Sequence, residues 1–532
     1  MPSISSYSLK PFNNNFTEEH LLHLLRRTLF GINPKDRSHF ANKSLQECID
    51  TLLKPSATPQ PPLEEYFPGG NDMFVTIGET WVNKPFAGEA SNSSRNTLLR
   101  MWWTGQILNR DYSITEKMTL FWHNHFVTEI DVVRDCRYSY QYAAMLRKYA
   151  LGNFKQLIKE GTVCPAMLVY LGGNTNFKSA PNENFARELM ELFTLGKGYG
   201  VQYTEDDVKA AARVLTGWHD DKDAITGTFN PDHHNTDNKQ FSAFFNHAII
   251  KGRTGKAGAE ETDELIDLIF TKKETARFIC RNLYRWFLYA HVDDKIEQEI
   301  IVPLAEIFYR SNFEIAPVLK TLLTSEHFFD PAFRGCIVKS PADFLIGASL
   351  QIDTNSTIEK QSYPFFAKTE SWFCYHFFCE ELTMRIGDPP SVAGWPAYYQ
   401  TPKYYQWWVN SAVLSMRKSL LSEMSNNEGL LKNGCTLNFD FPAFVQKIND
   451  ANDAEKLTKN CLHLLCAIQP DIQAIQQLVQ ILESDMGSSY YWGKAWQTFL
   501  ESPTSTEARS VIESRLQLFF SKIFGLPEYQ TM

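Results

Sequence analysis

Several features are missing from this 532-residue chain, and each absence narrows what it can be. It has no uninterrupted apolar run of about 18 residues, which excludes a spanning helix of the usual length. Basic residues are not in excess: 52 Lys and Arg stand against 61 Asp and Glu, a net charge of -9. The cationic surface on which non-specific phosphate binding relies is therefore lacking, and nucleic acid is not an expected partner. The ten cysteines are scattered without a CxxC pair or zinc-finger spacing, which points to free, mostly buried thiols. GxSxG, GxxxxGKS/T, GxGxxG and HExxH are all absent, so the common hydrolase, nucleotide and zincin templates have no foothold. The first residues show no cationic stretch followed by an apolar one. The expected location is cytoplasmic on that ground, or periplasmic if a leader has been removed.

What is present reads as a globular protein. Hydrophobic residues make up 43% and charged residues 21%, close to ordinary usage and incompatible with a disordered or fibrous chain. Helix punctuation recurs. Thr17, Glu18 and Glu19 precede Leu21, Leu25 and Leu29, with Gly31 after them, as caps and the helix dipole favour. Ser44 with Glu47, and Ser113 with Glu116, have capping-box spacing. Asn182 opens ENFARELMELFTL before Gly196, Thr204 opens a helix closed by Gly217, and Ser340-Pro341 opens another. Strand alternation is nearly absent. The expected fold is all-α, a large compact multi-helix protein with long functional loops and at most short hairpins. Loops are expected at 55–93, 219–260 and 386–402. A polar segment near 425–440 suggests a main helical domain over 1–425 and a C-terminal helical subdomain over 440–532.

Polar chemistry concentrates in a few segments. FWHNHF places His123 and His125 near a helix end. On an ideal helix, residues two apart point about 200° from each other, so the pair can share an ion only if the helix stops near His123. The alternative is a core histidine with satisfied nitrogens. In PNENFARELMELFTLG, Glu183, Arg187 and Glu191 lie along one ridge, with Glu188 a turn from Asn184 and Glu191. This is either a solvated salt-bridged face or, with Asn182 and Asn184, a cluster able to bind an ion or polarise a substrate. FNPDHHNTDNK carries His234 and Lys239. Its Asp-His-His also occurs in some phosphoesterases, but after a strand in an α/β sheet, a context missing here. Trp395, Tyr398 and their aromatic neighbours could offer stacking faces to a sugar, or simply pack.

These segments, with HLLRRTLFG, YTEDDVKAAARVLTGW, KSPADFLIGA and PPSVAGW, resemble the bacterial family called domain of unknown function 1800, over roughly residues 15–425. The resemblance implies a helical fold and no established activity. It also suggests a partner from a second uncharacterised, sulfatase-related family whose genes often neighbour its own. One departure stands out: the family shows His-Asp ahead of a lysine, whereas here Asn235 follows His234. The functional expectation is a metal-assisted hydrolase with His123, His125, Glu183, Arg187, Glu188 and His234 as catalytic groups. Asn182, Asn184, Lys239, Trp395 and Tyr398 would bind ligand, and His123, His125 and Glu188 would hold a divalent metal ion. The alternatives are a non-catalytic glycan- or protein-binding module using the aromatic loops, and a purely structural role for the same motifs.

Overall fold

The computed structural model describes residues 4–65, 72, 74–86, 88–109, 111–198, 200–358, 367–396, 404–432, 434–484 and 488–532. The chain is mostly helical, as its punctuation predicts. Helix Glu18–Thr28 starts where Thr17 N–H donates to His20 Nδ1 at 3.1 Å. Helix Leu45–Leu52 carries the expected Ser44–Glu47 box, with Glu47 N–H on Ser44 Oγ at 3.3 Å and Ser44 N–H on Glu47 Oε2 at 2.8 Å. Thr204 and Asp207 make the same reciprocal pair before helix Glu205–Val214. The Ser113–Glu116 box does not form. Ser113 Oγ accepts from Thr115 N–H instead, and Glu116 turns to Arg147 Nε at 2.8 Å, because a charged guanidinium offers a stronger bond than a backbone amide.

Strands are few and short. Trp218–Asp221 pairs antiparallel with Thr226–Phe229, and Lys239–Gln240 with Ile249–Ile250. A third sheet joins distant segments: Cys435–Phe439 lies between Thr354–Ile358 and Leu430–Lys432. The polar segment read as a boundary is therefore partly strand, and it ties residues after 430 to the body of the protein. Lys339 N–H donates to Gln530 O at 2.9 Å, and Arg417 Nη2 to Lys339 O at 2.7 Å. Buried apolar residues from Leu21 to Tyr529 form one contact cluster, the arrangement that removes most apolar surface from water. All ten cysteines are free, and all but Cys336 are buried.

Three helices that the sequence punctuation does not mark position the site. Helix Glu89–Leu108 begins inside the expected 55–93 loop and brings Arg100 and Trp103 inward. Cys136–Lys148 packs against helix Thr115–His125. Pro165–Tyr170, with proline at its first position as the missing N–H allows, delivers Tyr170.

Candidate functional site

Helix Thr115–His125 runs through both histidines of FWHNHF, so the 200° divergence holds and they enter different surroundings. The His123 ring is buried against Trp103, with centroids 4.7 Å apart, and Trp395, at 5.8 Å. Neither of its ring nitrogens has a hydrogen-bond partner among the described residues. Burial alone pulls its pKa down to about 3. His125 has both nitrogens engaged: Nε2 donates to Phe193 O at 3.0 Å, and Nδ1 accepts from Asn282 Nδ2 at 3.4 Å. Burial lowers it to about 4, with the Phe193 carbonyl opposing. It is a satisfied core histidine.

The Phe193 contact joins FWHNHF to the 181–196 segment, as a shared site requires. That segment is α-helical over Glu183–Glu188 and then widens into a π turn over Leu189–Thr194, a feature that often accompanies functional sites. Asn182 caps it, its Oδ1 accepting from Asn184 N–H at 2.9 Å while its Nδ2 donates to Gly172 O at 2.9 Å. Asn184 is exposed. Arg187 makes a two-pronged bond to Glu205, at 2.8 and 2.7 Å, and lies 3.7 Å from Glu183. This is the surface salt-bridged face, of small energetic weight. Glu191 pairs with Lys197. Glu188 differs from all of these. It is half-buried and makes no hydrogen bond or ion pair among the described residues. Burial first, and then the Glu191 charge, push its carboxyl up from the ordinary range against the pull of Lys197 and Arg187.

The Glu188 charge acts on two phenols, those of Tyr170 and Tyr203. The Tyr170 hydroxyl donates to Glu129 Oε1 at 2.8 Å. Burial, that bond, and the charges of Glu129, Glu188 and Asp388 all raise the phenol. Asp388 belongs to the loop GDPPSVAGW, which is fastened at both ends. Asp388 accepts from Arg100 Nε at 2.7 Å and from Asp131 N–H at 2.9 Å, and Ile130 N–H donates to Gly387 O at 3.2 Å. At the far end Trp395 N–H donates to Asn124 Oδ1 at 2.8 Å. Gly394, at φ +84°, lies so close that a Cβ would come within 2.3 Å of Asn124 O, which only glycine permits. Asn124 Nδ2 is buried without a partner among the described residues. FWHNHF thus touches both the 181–196 segment, at Phe193, and the GDPPSVAGW loop, at Gly394 and Trp395, while the charges of Glu188 and Asp388 act on the Tyr170 phenol.

The remaining candidates lie elsewhere. His234 is buried, with Nδ1 donating to Thr216 O at 2.8 Å and Nε2 3.1 Å from Glu261 Oε1. Lys239, fully buried, reaches Glu261 Oε2 at 2.5 Å and the Asn235 carbonyl. Burial would raise the Glu261 carboxyl, but bonds from His234, Lys239 and Arg253 N–H outweigh it and hold it low. Burial likewise pulls Lys239 down. The side chain of Asn235 takes no part in this knot, so the family aspartate is not needed to hold it. The adjacent His233 bonds His219, ring nitrogen to ring nitrogen, at 2.9 Å. Trp395 is fully buried and presents no face to solvent. Tyr398 lies outside the described residues. The residues expected to hold a metal, His123, His125 and Glu188, occupy three different surroundings, and among the described residues no group of three or more His, Cys, Asp or Glu is arranged around a common ion position.

The chain matches a family described as "Protein of unknown function (DUF1800)" over residues 23–531, well beyond residue 425 and through the C-terminal segment. No curated protein and no solved structure matches it. Among the described residues no helix is long and apolar enough to cross a membrane.

Proposed function

The chain belongs to the DUF1800 family, whose membership assigns no chemistry, and from that premise we propose that it is an acid–base enzyme of hydrolytic type working through Glu188, Glu129 and Tyr170. The observation that carries this reading is the environment of Glu188: a half-buried carboxyl raised by burial and Glu191, without a bonding partner, within electrostatic reach of a phenol already held by Glu129. Two carboxyls whose surroundings differ in this way suit opposite roles. Glu188, raised above the ordinary carboxyl range by burial and Glu191, acts as general acid toward a leaving group. Glu129, which accepts the Tyr170 hydroxyl, is the base that takes a proton from water, and the phenol steers that water or a substrate oxygen. His125 holds the 181–196 segment through Phe193, and His234 and Lys239 belong to the separate knot around Glu261.

The test is a panel of 4-nitrophenyl acetate, phosphate, sulfate and β-glucoside with the purified chain. At least one ester or glycoside is hydrolysed, and Glu188→Gln lowers kcat/KM by about 100-fold or more, the usual weight of a general acid. Its melting temperature stays near that of the parent. A rate unchanged in Glu188→Gln contradicts the proposal.

A further inference from the structure

A separate cavity of about 380 Å³ lies between the Pro-rich segment 59–63, helix Glu89–Leu108 and the start of helix Ala367–Glu381. Its volume is within the range of small-molecule sites. No lining residue belongs to the acid–base group. The walls are mostly apolar and aromatic, with Leu98, Trp102 and Trp372 beside the prolines, and Gln106 and Asn109 add neutral polar groups. They are held in place rather than free to collapse. The Trp102 indole N–H donates to Gln60 O at 2.7 Å, which pins the proline segment to the helix. Trp372 lies directly on Gly105, where a Cβ would come within 2.4 Å of its ring.

The polar end of this cavity is Glu65. Its Oε1 accepts from Thr369 Oγ1 at 2.5 Å, while Oε2 is buried with no hydrogen-bond partner among the described residues. No ion pair to Glu65 is formed among the described residues, and the charge that acts on it is that of another carboxyl, Glu370. A buried carboxylate without a cation is costly to maintain. The missing partner is a positive charge, and the aromatic walls favour one carried on an apolar body, since indole faces attract cations.

We infer that this cavity is a binding site for a small organic amine, with the ammonium on Glu65 and the apolar part between Trp102 and Trp372. Burial and Glu370 raise the free Glu65 carboxyl to about 7 against the Thr369 bond, so the site is charged and ready above that pH. The test is calorimetric titration at about pH 8 with 2-phenylethylamine, 2-phenylethanol and 3-phenylpropionate, three ligands of one shape and different charge. The amine binds at least about tenfold more tightly than the alcohol or the acid. Glu65→Gln removes that preference and leaves alcohol binding as it was. Equal binding of amine and alcohol, no binding of the amine, or full amine affinity in Glu65→Gln overturns the inference. The amine–alcohol comparison uses the unaltered protein and so decides the matter even where Glu65→Gln does not fold.

Discussion

The side-chain oxygen of Asn124 accepts from the backbone N–H of Trp395 at 2.8 Å, and its side-chain nitrogen is buried without a partner among the described residues. The GDPPSVAGW loop is thereby seated on the end of FWHNHF, and the backbone at Gly394 makes the seat possible. Gly394→Ala places a Cβ against Asn124 O at a positive φ, a strain of about 1–3 kcal/mol before any clash. Urea denaturation of this variant shows a loss of at least that size and a changed tryptophan emission. A loss within about 0.5 kcal/mol, the range of neutral surface changes, would mean that the loop is not held there.

The two histidines of FWHNHF give the stability a defined pH dependence. Folded, they are lowered to about 3 and about 4; unfolded, an imidazole titrates near 6.5. The unfolded chain binds these protons first, so their contribution is complete above about pH 6.5 and is lost as pH falls toward the folded values, by up to about 1.4 kcal/mol per unit for each histidine. His123→Phe removes one share of that slope. It also leaves the protein at least as stable near neutrality, because an apolar ring replaces a polar one that has no partner. His125→Ala behaves oppositely, stranding the Phe193 carbonyl at a cost of about 1–3 kcal/mol. Identical pH slopes in the parent and His123→Phe would refute the assignment.

Glu261 answers both His234 and Lys239, all three buried. Glu261→Gln leaves the Lys239 ammonium buried without its counter-charge, a loss of about 3–5 kcal/mol. The carboxyl is held below its ordinary range, so its contribution is present above about pH 4.5, where the unfolded group ionises, and disappears as pH falls through the lower folded value. Denaturant midpoints measured against pH fall more steeply below about pH 4.5 in the parent than in the variant, the histidine limb being common to both. A loss below about 1 kcal/mol, the size of an exposed ion pair, would make the knot a surface feature.

Much of the fold is legible in the residues, because caps act over three or four positions and show themselves as Thr17, Ser44, Asn182 and Thr204. Ser113 misleads for a reason no local pattern contains: Arg147, 31 residues after Glu116, takes its carboxylate. The strand Cys435–Phe439 is hidden in the same way, since its partner Thr354–Ile358 lies far back in the chain. For the site, dense polar residues direct attention to FWHNHF and to the 181–196 segment, which do touch through His125 and Phe193. They cannot separate Glu188 from Glu183 and Glu191, because the distinction arises from Glu205 and Lys197 claiming other members of that helix. Glu129 and Tyr170 carry no motif. Tyr170 ends an apolar stretch and Glu129 lies between Thr128 and Asp131, and only the folded chain brings them together.

The central claim is that Glu188 and the Tyr170–Glu129 pair act as one unit. It is tested most directly by a double-mutant cycle on kcat/KM with whichever panel substrate is turned over. Glu188→Gln and Tyr170→Phe each lower the rate by about 100-fold or more, and the double variant is little worse than the poorer single one, as for groups that act together. Losses that simply multiply, or a Tyr170→Phe enzyme with the parent's rate, would contradict the account.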